Sequence, residues 1–414
     1  MAKIETIRTP RVGRLALLLI LSTLLGAYNI SVGFSLKPYM ILTCFILLIS
    51  IFNFKIHKLM TYEILMLAFY FLYCSTGLFA KYPVESLRLI VAIIITVSSY
   101  FVMKYVLSRI SIRQLENTLA VSGIIFNMVS LILYVLGAYL LGFHFAGNRI
   151  TSLGLLMDRG IPRLIGTFTD PNIFAFCNFI FFYYYLTHLK RKGSRIGLLL
   201  TVATLLLTFS RGAFVAVAFG FFLYFVAAKT KTKIRMIIWG SIFGAGAIYF
   251  AQAYFNIDVI SIVTARFTEV QGDGASGRFD IWGNGLKLFS DSPFLGIGIY
   301  NYRAYSNNMF GIDHYMHNTF LEVLTESGMI GFVLYALFFL GLFRMFYKNR
   351  KQKHSTNYLF FTLCSMGVMM SSLSLISNEN FFLFLAVCWR YFYENKKLQM
   401  QKNEIDNQNS KLIV

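Results

Sequence analysis

His317 is the residue in this chain best placed to move a proton, in the run His317-Asn318-Thr319-Phe320-Leu321-Glu322 at the start of an apolar stretch. Asn318, Glu322 and Glu326 lie four apart and share one helical face, with His317 beside that face rather than on it. An imidazole near an aqueous interface accepts a proton at neutral pH and suits a general base, the plain alternative being a solvated residue at a helix end. Glu322 would orient the imidazole or cap the helix start. Upstream stand Gly277-Arg278-Phe279-Asp280-Ile281-Trp282 and Ser290-Asp291-Ser292-Pro293-Phe294-Leu295-Gly296-Ile297-Gly298. Together these segments form one long polar island in a chain that is otherwise apolar, so chemistry is expected there.

The elements that must position this island are membrane helices. Of 414 residues 57% are apolar and 14% charged, and apolar runs approach the length that crosses a bilayer. The expected class is an all-α polytopic membrane protein. The run over residues 15–34 is too long for a cleaved leader and is expected to stay as the first helix. All five cysteines fall in apolar runs, which predicts neither disulfide nor metal site. The net charge of +20 does not imply nucleic acid, because the basic residues come in short clusters between apolar runs. Clusters at 3–14, 55–58, 104–113, 190–195, 229–235, 344–353 and 390–411 should all be cytoplasmic, so an even number of crossings separates each from the next.

Six hairpins satisfy that rule: 15–35 with 38–54, 61–79 with 88–107, 116–142 with 171–189, 196–209 with 212–228, 234–254 with 317–347, and 357–376 with 380–393. About twelve spans result, with both termini inside. As a single helix, 196–228 would be about 50 Å long at ~1.5 Å per residue and would put basic clusters on opposite sides, so a turn is placed at Ser210-Arg211-Gly212. Both arms are short, which sets Arg211 below the outer surface in a polar cavity. The chain divides into N-terminal spans (1–142), an outer loop (143–170), central spans (171–254), a large outer loop between spans 9 and 10 (255–316), C-terminal spans (317–393) and a basic cytoplasmic tail without fixed structure (394–414).

This topology leaves 11 of the 38 Lys and Arg residues outside: Lys37, Lys81, Lys287, Arg88, Arg149, Arg159, Arg163, Arg211, Arg266, Arg278 and Arg303. Arginine outnumbers lysine eight to three there, although the chain has 19 of each. A guanidinium is a planar fork that grips phosphate oxygens in pairs and keeps its proton, so the bias predicts an outward site for a phosphorylated or acidic lipid. Some of these arginines would instead touch headgroups or pair with Asp158, Asp170, Glu269 and Asp280. In the first loop, Gly166-Thr167-Phe168-Thr169-Asp170-Pro171-Asn172 reads as a turn, with Asp170 as the helix cap. In the second, a glycine-rich stretch (272–277) precedes an amphipathic helix over 278–289, with Phe279, Trp282, Leu286 and Phe289 on one face and Trp282 at the membrane interface. Gly296 and Gly298 read as a turn, since no strand precedes them to make a dinucleotide fingerprint.

Thr208-Phe209-Ser210-Arg211-Gly212-Ala213, then Gly277-Arg278-Phe279 with Trp282 and Ser292 to Gly298, then Met316-His317-Asn318-Thr319-Phe320-Leu321-Glu322 with Gly328-Met329-Ile330-Gly331, occur in that order. The set resembles the superfamily of O-antigen ligases and O-antigen polymerases, over residues 163–334. The resemblance implies a glycosyltransferase of the membrane-embedded C class, without cofactor or metal, in the bacterial cytoplasmic (inner) membrane with its active site facing outward. Its donor would be a glycan on undecaprenyl pyrophosphate, and membrane lipids and a chain-length regulator protein would be partners. Arg211 and Arg278 correspond to arginines that bind the pyrophosphate, and His317 to the histidine that activates the acceptor hydroxyl. Arg163, Arg159, Arg266, Arg303, Glu322, Asn318 and Trp282 are further expected contacts of pyrophosphate or glycan. The chain has no Asp-x-Asp pair, which argues against a metal-dependent nucleotide-sugar enzyme.

Polymerase and ligase share a donor and differ in acceptor: another lipid-linked repeat, or lipid A core. The segment 166–172 and the form His-Asn-x-Phe-Leu-Glu look more like polymerases of O-antigen, capsule or exopolysaccharide. A lipid-linked oligosaccharide flippase would also need arginines, but would hold its substrate near the midplane between related halves, and no internal repeat is found here. A membrane protein without chemistry is the third reading.

Overall fold

The computed structural model describes residues 10–31, 35–145, 147–255, 274–352 and 354–412. Arg266 and Glu269 lie outside the described residues, as does the start of the glycine-rich stretch.

Helices dominate: α1 (Pro10–Thr23), α2 (Pro38–Ser50), α3 (Thr61–Ser75, continued by the 3-10 turn Thr76–Phe79), α4 (Pro83–Ser108), α5 (Ile112–Leu140), α6 (Pro171–Thr187), α7 (Ser194–Leu207), α8 (Arg211–Ala227), α9 (Thr230–Phe255), α10 (Gly274–Asp291), α11 (Tyr302–Phe310), α12 (Thr319–Asn349), α13 (Asn357–Met370) and α14 (Glu379–Leu412). The segment Thr61–Phe79, α4, α5 and α12 are long and apolar enough to cross a membrane, while α2, α7, α8 and α13 are apolar and shorter. This fits a membrane protein. Proline stands at the first turn of α2, α4 and α6, where its missing N–H costs nothing and its fixed φ favours the helix.

The core is aromatic. From Phe174 to Tyr185, α6 is buried around its whole circumference, as expected of a helix apolar on all sides at the centre of a bundle. Its one strongly polar residue there, Asn178, donates to Asn127 of α5 at 2.7 Å and to Thr204 of α7 at 3.0 Å. Buried amides need partners in a low dielectric, and this cluster locks three helices at one register.

The ends of the helices sort into two groups. At one end the turns expected inside meet: the His57 ring lies 5.0 Å from that of Trp389, Arg390 donates to the Ile110 carbonyl at 2.9 Å, and Arg191 pairs with Glu116 at 2.9 Å. At the other end gather residues 143–170, the α7–α8 junction, α10, the start of α12 and the α13–α14 turn.

Several expectations are corrected. The first span, expected over 15–35, is a helix that stops at Thr23: Ala27 N–H donates to the Thr167 carbonyl at 2.9 Å, and a Cβ on Gly26 would lie 2.3 Å from Phe168, so the chain turns away onto the 165–168 loop. The fold is not purely helical: the two-residue strands β1 (Ile30–Ser31) and β2 (Ser35–Leu36) pair, and the loop over 143–170 contains an antiparallel sheet, β3 (Ile150–Ser152), β4 (Leu155–Asp158) and β5 (Ile161–Leu164). The tail is helical to Leu412, since it consists largely of helix formers without Gly or Pro. On α10 the buried face is Ile281, Asn284, Gly285 and Leu288, while Phe279 and Leu286 are exposed. That buried face meets protein, because Gly285 lets the helix close on Met316.

Candidate active site

Local sequence accounts for each wall. Thr208 ends α7, Phe209 turns through φ 46°, and Ser210 caps α8, its Oγ accepting from Ala213 N–H at 3.1 Å and donating to Asn172 Oδ1 at 2.6 Å. The break expected at 210–212 thus lies at 208–210 and makes Arg211 the first residue of α8. Asp170 caps α6 as expected, accepting from the N–H groups of Asn172 and Ile173. Arg163, on β5, clasps three elements: Nε donates to the Thr208 carbonyl at 3.0 Å, and its two terminal nitrogens donate to Asp158 Oδ2 at 3.0 Å and Asn172 Oδ1 at 3.4 Å.

These elements enclose a cavity of 690 Å³ whose wall carries Arg149, Arg159, Arg163, Arg211 and Arg278 together with Asp158, Asp170 and His317. Among the described residues, guanidinium groups on this wall outnumber carboxylates five to two. Burial draws Arg278 below the usual guanidinium range, Asp170 opposes this, and Arg211 adds to it, so these three charges face one another. His317 is half-buried and its imidazole is held below its ordinary value, first by burial and then by the Arg278 guanidinium, with Asp170 opposing. It is therefore neutral at pH 7 and able to accept a proton.

Backbone strain gathers here. Of seven non-glycine residues with positive φ among the described residues, five line this cavity or the one beside it: Arg149, Arg159, Phe209, Tyr300 and His317. Such conformations cost about 1–3 kcal/mol each and persist only where the surroundings hold them, which is characteristic of functional sites. The N–H of His317 donates to Ser374 Oγ at 3.2 Å, and Trp282 Nε1 donates to the Met316 carbonyl at 3.1 Å, so the strained residue is pinned on both sides.

A second cavity, of 350 Å³, shares Asp170 and His317 with the first and is lined further by Tyr300, Tyr315, Glu322 and Ser374.

Other expected residues have structural roles. Asn318 lines neither cavity; it caps α12, accepting from Phe320 and Leu321 N–H at 3.1 Å each. Glu322 therefore caps nothing and faces the second cavity. Trp282 anchors Met316 through its indole N–H. Arg303 is held by both oxygens of Asp313, at 2.6 and 2.8 Å, and reaches the second cavity only through the Tyr315 hydroxyl at 3.1 Å. Glu326 accepts from Tyr73 Oη and from the N–H groups of Tyr300 and Tyr302, capping α11. Arg149 was counted on the outer side but not chosen, and its signal was only its membership of that arginine-rich set. Tyr300, Tyr315 and Ser374 gave none.

The turn around Gly296 and Gly298 is sewn into a break in α12. Gly328 has φ 63° and ψ −166°, and across this gap Ile297 and Gly298 N–H donate to the carbonyls of Thr325 and Glu326, while Met329 N–H donates to the Pro293 carbonyl. A Cβ on Gly296 would lie 2.4 Å from Glu326 backbone, and one on Gly328 2.3 Å from Phe294 backbone. Glycine is required at both positions for close approach and for positive φ.

A family model described as O-antigen ligase matches residues 196–336. The match runs from α7 into α12 and includes Arg211, Arg278 and His317. This match over about a third of the chain supports the O-antigen ligase and polymerase superfamily. Comparison with curated proteins found no match. Of the first cavity's wall, the O-antigen ligase-like segment supplies Arg211, Arg278 and His317, whereas Arg149, Arg159 and Arg163 come from the sheet that precedes it. Members of the family are membrane glycosyltransferase-like enzymes.

Proposed function

We propose that the chain is a polysaccharide polymerase that transfers a glycan from undecaprenyl pyrophosphate to a second lipid-linked repeat at the outer face of the cytoplasmic membrane. The observation that carries this reading is the convergence of five arginines and a neutral histidine on one cavity. Breaking a sugar–pyrophosphate bond develops charge on the leaving phosphate, and guanidinium groups fixed in a poorly hydrated space stabilise that charge without reorganising. In this reading the acceptor oxygen bonds to the anomeric carbon as its proton passes to His317. The carbon–phosphate oxygen bond breaks, and the pyrophosphate leaves with the electron pair. The chain's own residues supply this chemistry without a metal or cofactor. The grouping of expected inner turns at one end of the bundle, and of the cavity at the other, supports an outward site with both termini cytoplasmic.

The acceptor separates polymerase from ligase. Polymerase is preferred on the form of residues 166–172 and 317–322; the family match supports the ligase and polymerase family generally and does not choose between them. The test is a gel of glycan length from a deletion strain complemented with wild type, Arg211→Ala, Arg278→Ala or His317→Ala at equal membrane levels. Single repeats without polymer in the deletion and in all three variants are expected. Undiminished long polymer that never reaches lipid A core would make the chain a ligase, and normal ladders from every variant would remove the site.

A further inference from the structure

The second cavity differs from the first in chemistry while touching it at His317 and Asp170. Among the described residues, neither arginine nor lysine lines it; its polar wall is Glu322, Ser374, Ser377 and the hydroxyls of Tyr300 and Tyr315, which lie 2.9 Å apart. At 350 Å³ it falls at the small end of ligand cavities, about 300–1,000 Å³. Glu322 is 5% exposed, and its Oε2 has no hydrogen-bond partner among the described residues, although every other polar group named on α12's first two turns is engaged. A buried carboxyl oxygen left without a partner costs free energy that an incoming hydroxyl would offset. A third cavity shares Ser377 with the second and is lined further by Met40, Leu87 and Val91 together with Lys37, Arg88 and Glu379, a way out toward α2 and α4 that passes charged groups.

We propose that the second cavity seats the acceptor glycan: its terminal sugar lies between Tyr300, Tyr315 and Glu322, with one hydroxyl donating to Glu322 Oε2 and the reacting hydroxyl at His317. The inference rests on the glycosyl-transfer reading above and assigns the two substrates to opposite sides of one histidine. Pyrophosphate and departing sugar occupy the arginine side. The acceptor, uncharged at its reacting end, occupies the side without cations, and its lipid leaves past Ser377. Glu322 would thereby select an acceptor that carries a hydroxyl donor beside the reacting one.

The test uses the full chain in nanodiscs and two probes. Undecaprenyl pyrophosphate without glycan reports on the arginine cavity by thermal stabilisation. The lipid-linked repeat, extracted from a deletion strain and titrated against a fixed amount of lipid-linked polymer, reports on the acceptor seat by chain lengthening. In Glu322→Gln the KM for the repeat should rise about tenfold, the scale of one buried hydrogen bond, with kcat changed far less. Tyr315→Phe should raise it by a smaller factor, and both variants should keep the wild-type response to undecaprenyl pyrophosphate. A KM within twofold of wild type in Glu322→Gln overturns the acceptor seat, and so does loss of the undecaprenyl pyrophosphate response in both variants. If wild type itself neither responds to undecaprenyl pyrophosphate nor lengthens polymer, the glycosyl-transfer reading fails and takes the seat with it.

Discussion

At the end of the bundle that holds the α4–α5 turn, buried cations are matched one to one. Lys104, 1% exposed, donates to Glu63 with its ammonium 4.7 Å from the Trp389 ring, and Arg390 spends its nitrogens on the Ile110 carbonyl and Glu394. At the other end, five arginines share two aspartates around 690 Å³ of space. The first arrangement is complete in itself: desolvation of each ion is offset by its partner. In the second, among the described residues, arginines on the cavity wall outnumber aspartates five to two, an excess that an anionic ligand would balance. Paired buried charge and this arginine-rich wall thus lie at opposite ends of the bundle.

That contrast can be broken most sharply at His317. His317→Ala should lower polymer formation about 10²- to 10⁴-fold in membranes while the amount of folded protein stays at the wild-type level; an equal fall in both would make the residue structural. Lys104→Met should do the reverse: it strands Glu63 at a loss of about 3–5 kcal/mol, read as a lower melting temperature and lower membrane abundance, and Glu63→Gln in the same chain should restore much of it. Arg278→Ala should cost about 10²–10³ in rate. The conservative Arg278→Gln should melt no lower than wild type, because it relieves the burial of a charge, the largest effect on this group, and then repulsion from Arg211, against the lost attraction of Asp170; a marked fall in melting temperature would mean that the surplus is only apparent.

The acid limb of the rate profile sharpens the comparison further. His317 must be neutral to accept a proton, and its value lies below the ordinary ~6.5, so rate should rise with pH through a midpoint under that value and level off by neutrality. Asp170 opposes the depression, so Asp170→Asn should move the limb to lower pH while an asparagine still caps α6. A limb that moves up or stays fixed would separate Asp170 from the imidazole. The smallest expected effect is Asn318→Ala, which removes the α12 cap at about 1 kcal/mol and lowers the melting temperature with little change in KM.

Much of this was legible where one residue type dictates local geometry. Ser210 before Arg211 ends one helix and starts another, Asp170 before Pro171 does the same, and both were readable because caps act within three residues. The sheet that brings Arg149, Arg159 and Arg163 to the cavity was not, because strands of three or four residues are too short for alternation to register. The face of α10 differs from the one suggested by the spacing of Phe279, Trp282, Leu286 and Phe289, because Gly285 decides which side comes close. The second cavity was invisible for another reason: its walls come from α6, the segment before α12 and the α13–α14 turn, which only packing brings together.

The break at Gly328 has a bearing on how the protein sits in lipid. The part of α12 beyond it, residues 329–349, measures about 32 Å at ~1.5 Å per residue, close to the ~30 Å of a bilayer's hydrocarbon layer. That part alone is long enough to fill the oily slab. The first turns of α12, with both glutamates, would then belong to the headgroup zone, and the 292–298 turn would be the collar that marks the waterline.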